Sequence, residues 1–104
     1  MTLEVEHTGD TFRLKGELDI AAEEALMQAL EPELEAGREV ILDLGGLEFI
    51  DSSGVRCLIR AANAVGSGGR VVLRDPLPPV RRVFELMRVD TIPNVAVEPS
   101  GGSP

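Results

Sequence analysis

Four consecutive residues, Asp51-Ser52-Ser53-Gly54, hold the densest set of groups in this sequence able to carry chemistry. They follow the run Leu47-Glu48-Phe49-Ile50 and open a segment with helical apolar spacing. A serine hydroxyl at a helix start can serve as a nucleophile, accept a modifying group, or cap the helix. The nucleophile role fails on spacing. A nucleophile elbow needs Gly-x-Ser-x-Gly, but Asp51 and Val55 flank Ser53, and Ile50 stands where Ser52 would need a glycine. The single histidine, His7, is far away in sequence and reads as a surface residue of a strand. No catalytic residue is expected.

Other chemistries fare no better. Gly66-Ser67-Gly68-Gly69 lacks the third glycine of a dinucleotide fingerprint, because Val71 occupies that position. It also follows a helix instead of a strand, the wrong end of a sheet for phosphate. Cys57 has no cysteine partner and reads as structural, off the apolar stripe of its helix. No Cys/His cluster suggests zinc and no carboxylate run has calcium-loop spacing, so no metal and no cofactor are expected.

The elements that must hold the serine motif can be read from periodicity. Residues 3–7 and 11–16 alternate apolar and polar around Thr8-Gly9-Asp10, which predicts a hairpin. Gly16-Glu17-Leu18-Asp19 closes it. Residues 21–30 are strong helix formers, continued by Leu34 and ended by Gly37, with Asp19 as a possible cap. Pro32 inside this stretch predicts a kink or a break. Residues 39–44 form a nearly continuous apolar run, the pattern of a strand buried on both faces, and Gly45-Gly46 interrupt it. Val55, Leu58, Ile59, Ala62 and Val65 mark a second helix, residues 70–74 a short strand, and Val80, Val83, Phe84 and Met87 a third helix. Residues 92–97 form a last strand at a sheet edge, as Pro93 suggests. The order β-β-α-β-α-β-α-β predicts an α/β fold: a mixed, mostly parallel sheet of about five strands with helices packed against it. One domain over 1–98 is expected, followed by a short flexible tail over 99–104.

Composition narrows the function classes. The 104 residues include three aromatics, all phenylalanine, so the core must be aliphatic. The net charge of −8 argues against nucleic acid as a partner. The charge is uneven: residues 1–52 carry 14 acidic and 3 basic side chains, residues 53–104 carry 4 and 7. The first half is then either an ordinary solvated surface or an acidic docking face that steers a basic partner. No apolar run approaches the roughly 20 residues that cross a bilayer, and residues 1–10 lack the pattern of a signal peptide. A soluble, cytoplasmic protein is expected.

Three stretches, Gly16-Glu17-Leu18-Asp19, Leu47 to Gly54, and Val80 to Met87, together with the element order, resemble the STAS family, in particular its anti-sigma factor antagonists. The similarity covers roughly residues 3–97. It implies a bacterial, non-enzymatic switch in partner switching. Unphosphorylated, such a protein binds an anti-sigma factor that is also a serine kinase, which frees a sigma factor. Phosphate on the first serine of the motif releases it, and a phosphoserine phosphatase resets it. Carried onto this chain, the acceptor is Ser52, with Ser53 as second choice and mainly a capping residue. The partner-facing residues would be Glu17, Asp19, Asp51, Ser52, Ser53, Gly54, Val55 and Arg56. Gly54 would allow close approach or an unusual backbone at the helix start. The alternative is an unphosphorylated STAS scaffold subunit, for example of a lipid-transport ATPase complex. A nucleotide-binding module has no supporting loop.

Overall fold

The computed structural model describes residues 3–66 and 68–98. The expected order of elements is present: β1 (Leu3–Thr8), β2 (Thr11–Leu18), α1 (Glu23–Glu35), β3 (Val40–Ile50), α2 (Ser52–Val65), β4 (Val71–Arg74), α3 (Pro78–Leu86) and β5 (Val95–Glu98). Two 3-10 turns, Ile20–Ala22 and Val89–Thr91, join α1 and β5 to their neighbours. The expected tail over 99–104 lies outside the described residues.

The five strands lie in sequence order, β1-β2-β3-β4-β5, with β1 antiparallel to β2 and the rest parallel. Three parallel crossovers that step in one direction with one hand place their helices on one face. One apolar cluster accordingly joins Leu26 and Leu30 of α1, Val55 and Leu58 of α2, and Val80 and Phe84 of α3 to Phe12, Leu14, Leu42, Leu44 and Leu73 of the strands. The core is aliphatic apart from two phenylalanines, as composition requires. On the opposite face, a row of alternating charge crosses all five strands in register: Glu6, Arg13, Asp43, Arg74 and Glu98. Arg13 lies 3.9 Å from Glu6 and 3.5 Å from Asp43, and Arg74 lies 3.0 Å from Glu98.

Several local readings are corrected. Pro32 does not break α1, which runs through it. It falls in the last turn on an exposed side, where the carbonyl it leaves unpaired can meet water. Gly45-Gly46 do not end β3. Against β2, the step from Arg13 to Lys15 is matched by Asp43 to Gly46, so β3 carries an extra residue there. A side chain at Gly46 would lie 2.9 Å from Lys15 Cγ, so the glycine fits where the strands crowd. A second extra residue, Glu48, sits between Leu47 and Phe49. Cys57 is fully buried, because α2 is covered by α1 as well as the sheet and so buries a wider arc than one stripe. Met87 lies beyond α3 and is exposed. His7 is at the surface of β1, as expected, stacked on Phe12 with ring centroids 3.9 Å apart.

Candidate functional site

β3 ends at Ile50, and Asp51 turns the chain into α2 with an extended backbone. Its Oδ1 accepts a hydrogen bond from the Gly54 N–H at 3.0 Å, and its carbonyl accepts from the Val55 N–H at 3.0 Å. Asp51 is therefore the N-cap. The capping role expected for Ser53 belongs to Asp51, whose carboxylate occupies the position from which the first turn can be reached. Ser52, the first helical residue, is exposed, and Ser53 is half-buried. No acidic residue follows in the first turn of α2.

Gly54 fixes where this helix start lies. A Cβ there would stand 2.4 Å from the Leu18 carbonyl oxygen and 2.6 Å from Ile50 Cγ1. Its φ is not in the left-handed region, so close approach, not unusual backbone, is what demands glycine. The first turn of α2 thus rests on the end of β2, where Leu18 pairs with Ile50. Two residues beyond each of these lie Ile20 and Ser52, so the Glu17–Ile20 stretch and the serine motif form one end of the molecule. Asp19 accepts from the Ala21 N–H at 3.0 Å and caps the 3-10 turn, not α1 itself.

Of the residues predicted to face a partner, Glu17, Asp19, Asp51, Ser52, Ser53 and Arg56 reach the surface at this end. Gly54 and Val55 are buried and act by positioning the turn. Arg56 is exposed, four residues along α2 from Ser52. Glu17 is half-buried, and its Oε1 is shielded from water without a hydrogen-bond partner among the described residues. An acceptor left in that state costs about 1–3 kcal/mol until a donor reaches it.

Sequence reasoning missed two residues here. Ile20 is 72% exposed and Phe49 is 44% exposed, both large apolar side chains at this end. Phe49 pairs with Glu17 across the strands just past the extra residue Glu48. Ile20 lies off the stripe formed by Leu26, Leu30 and Leu34, which was its available signal.

Cys57 lies behind this surface. Burial pushes its thiol up to about 11, helped by Glu23 and opposed by Arg60. A thiol of that kind is not a nucleophile at neutral pH. Among the described residues no His/Cys/Asp/Glu group could hold a metal ion, and no helix is long and apolar enough to cross a membrane.

Against known proteins, a family model described as "Mlab, STAS domain" matches residues 1–97. The chain is 37% identical over 75 residues to BtrV of Bordetella bronchiseptica, provisionally named an anti-sigma factor antagonist. That match covers 70% of this chain and 65% of BtrV. It is 37% identical over 77 residues to the anti-sigma F factor antagonist of Lysinibacillus sphaericus, covering 71% and 66%. The chain thus spans just under two thirds of the length of these relatives. Among solved structures, the anti-sigma factor antagonist SpoIIAA in its unphosphorylated form is 30% identical with a TM-score of 0.66, over 91% of this chain and 88% of that one. An anti-sigma factor antagonist from Mycobacterium paratuberculosis is 27% identical with a TM-score of 0.70, over 91% and 84%. With a family model over nearly its whole length and the fold of these antagonists, the chain belongs to the STAS domain family.

Proposed function

We propose that this protein is an anti-sigma factor antagonist: a non-enzymatic cytoplasmic switch that docks an anti-sigma factor through the Ser52 end and is released by phosphate on Ser52. The observation that carries this reading is a free hydroxyl at the first position of α2, with the capping duty taken by Asp51. A serine that is exposed and not needed as the cap can be modified without removing a structural bond.

The physics of release follows from the surroundings. The unmodified end offers Ile20 and Phe49 as exposed apolar anchors together with the acidic Glu17, Asp19 and Asp51. Phosphorylation adds about −1.5 to −2 charges at neutral pH. In a closed interface like-charge juxtaposition costs several kcal/mol. In the free protein the same group sits at a helix N-terminus, where unpaired N–H groups and the helix dipole favour an anion. The modification therefore opposes docking far more than folding. The partner is the serine kinase that modifies Ser52, and a phosphoserine phosphatase restores the active form.

Incubation with the serine kinase/anti-sigma factors of the source bacterium and ATP, followed by mapping of phosphate by mass spectrometry, tests this. Modification at Ser52 that disappears in Ser52→Ala is expected. Phosphate that persists in Ser52→Ala contradicts it. A loop that binds a partner yet never takes phosphate would favour an unmodified scaffold subunit.

A further inference from the structure

We propose that Arg56 is the internal counter-ion of a phosphoryl group on Ser52, drawing the modified side chain onto the first turn of α2. This rests on the phosphoacceptor role proposed above and adds a residue that closes the modified state.

Ser52 and Arg56 are four residues apart on α2, both exposed, which puts their side chains on one helix face. The acid would lie on the N-terminal side and the base on the C-terminal side, the favourable orientation for such a pair. Arg56 is available. Arg13, Arg60, Arg70 and Arg74 each have a carboxylate within 4 Å, whereas Arg56 has none among the described residues. No acid in the first turn of α2 competes for it. The nearest carboxylate in sequence, Asp51, already accepts from the Gly54 N–H. A guanidinium fork matches two phosphoryl oxygens, and a phosphoryl group carries more charge than a carboxylate. The groups around the phosphoryl group are then Arg56 and the free backbone N–H groups in its favour, and Asp51, Asp19 and Glu17 against it.

Two consequences follow. The modified helix start is stabilised from within, so the domain tolerates the new charge. Arg56 is also withdrawn from the docking face, so phosphorylation changes both the charge and the hydrogen-bond donors presented there.

The test installs phosphoserine at position 52 by genetic encoding, without any kinase, in wild type, Arg56→Gln and Arg56→Lys. A failure to find a kinase therefore leaves this test unaffected. The phosphate's second ionisation is followed by 31P NMR, and melting temperature is measured with and without the phosphoryl group. Arg56→Gln is expected to raise that ionisation by roughly half a unit, with Arg56→Lys between the two. It should lower the melting temperature of the phosphorylated form while leaving the unmodified form unchanged. An unchanged phosphate titration in Arg56→Gln overturns the proposal. Equal losses of melting temperature in both forms would mark Arg56 as merely structural and overturn it as well.

Discussion

The two aspartates at the Ser52 end do the same local task with different results. Asp19 and Asp51 each follow a strand, each has an extended backbone, and each takes a nearby N–H at 3.0 Å. After Asp19 come Ile20-Ala21-Ala22, a three-residue 3-10 turn, and α1 begins only at Glu23 with no side-chain cap. After Asp51 the 14-residue α2 begins at once, with Ser52 in its first position and Gly54 pressed onto Leu18. The first junction presents an apolar side chain and the second a hydroxyl backed by a full helix dipole. An aspartate cap alone therefore makes no switch. What distinguishes the second junction is a modifiable residue beside the cap and a helix long enough to favour an anion there.

Substitutions can break or sharpen that contrast. The largest effect is expected from Gly54→Ala, because the new Cβ meets the Leu18 carbonyl oxygen, a backbone atom that cannot swing aside. A loss of about 3 kcal/mol or more in urea unfolding is expected. An innocuous Gly54→Ala would mean that the two loops are not locked together. Asp51→Ala should cost about 1 kcal/mol, the usual value of a helix cap. Asp19→Ala should cost less than half as much, since it caps a single short turn. Equal losses would erase the distinction between the junctions. Ser52→Ala should change stability by less than about 0.5 kcal/mol, as for an exposed residue with no structural bond. A cap-sized loss would assign the hydroxyl to holding the helix.

A pH effect should arise behind this surface, from Cys57. Its folded value lies near 11 against an ordinary 9.0, so the folded state holds the thiol proton more tightly than the unfolded chain does. The corresponding stability is intact below pH 9 and is lost as pH rises through 11. At neutral pH the effect is absent. Urea midpoints of wild type and Cys57→Ala should therefore converge between pH 9 and 11, and a gap that stays constant would contradict this.

Much of this architecture was legible in the residues. The alternation of strand and helix patterns specified the parallel sheet, because crossover connections leave few other arrangements. The serine motif was legible because it sits between a buried strand and an apolar-striped helix. Other features depended on contacts that local periodicity does not encode. Gly45-Gly46 read as a strand end, yet pairing with β2 carries β3 past them. Phe49 lay beyond the expected strand end, yet it is a strand residue whose exposed position follows the extra residue Glu48. Cys57 read as structural but off the apolar stripe, because α2 was judged by one stripe, whereas α1 buries a second flank. Asp19 was read as the cap of α1, and the intervening 3-10 turn changed its role. Each difference arises where a neighbouring element sets the surroundings of a residue.

The most direct measurement is the affinity of one anti-sigma factor from the source bacterium for two forms of the protein, one with Ser52 and one with phosphoserine at that position. Calorimetry at a fixed salt concentration would read both. Binding by the unmodified form and a loss on the order of 100-fold or more upon phosphorylation are expected, the equivalent of a few kcal/mol at a closed interface. Equal affinities, with both forms folded, would contradict the account.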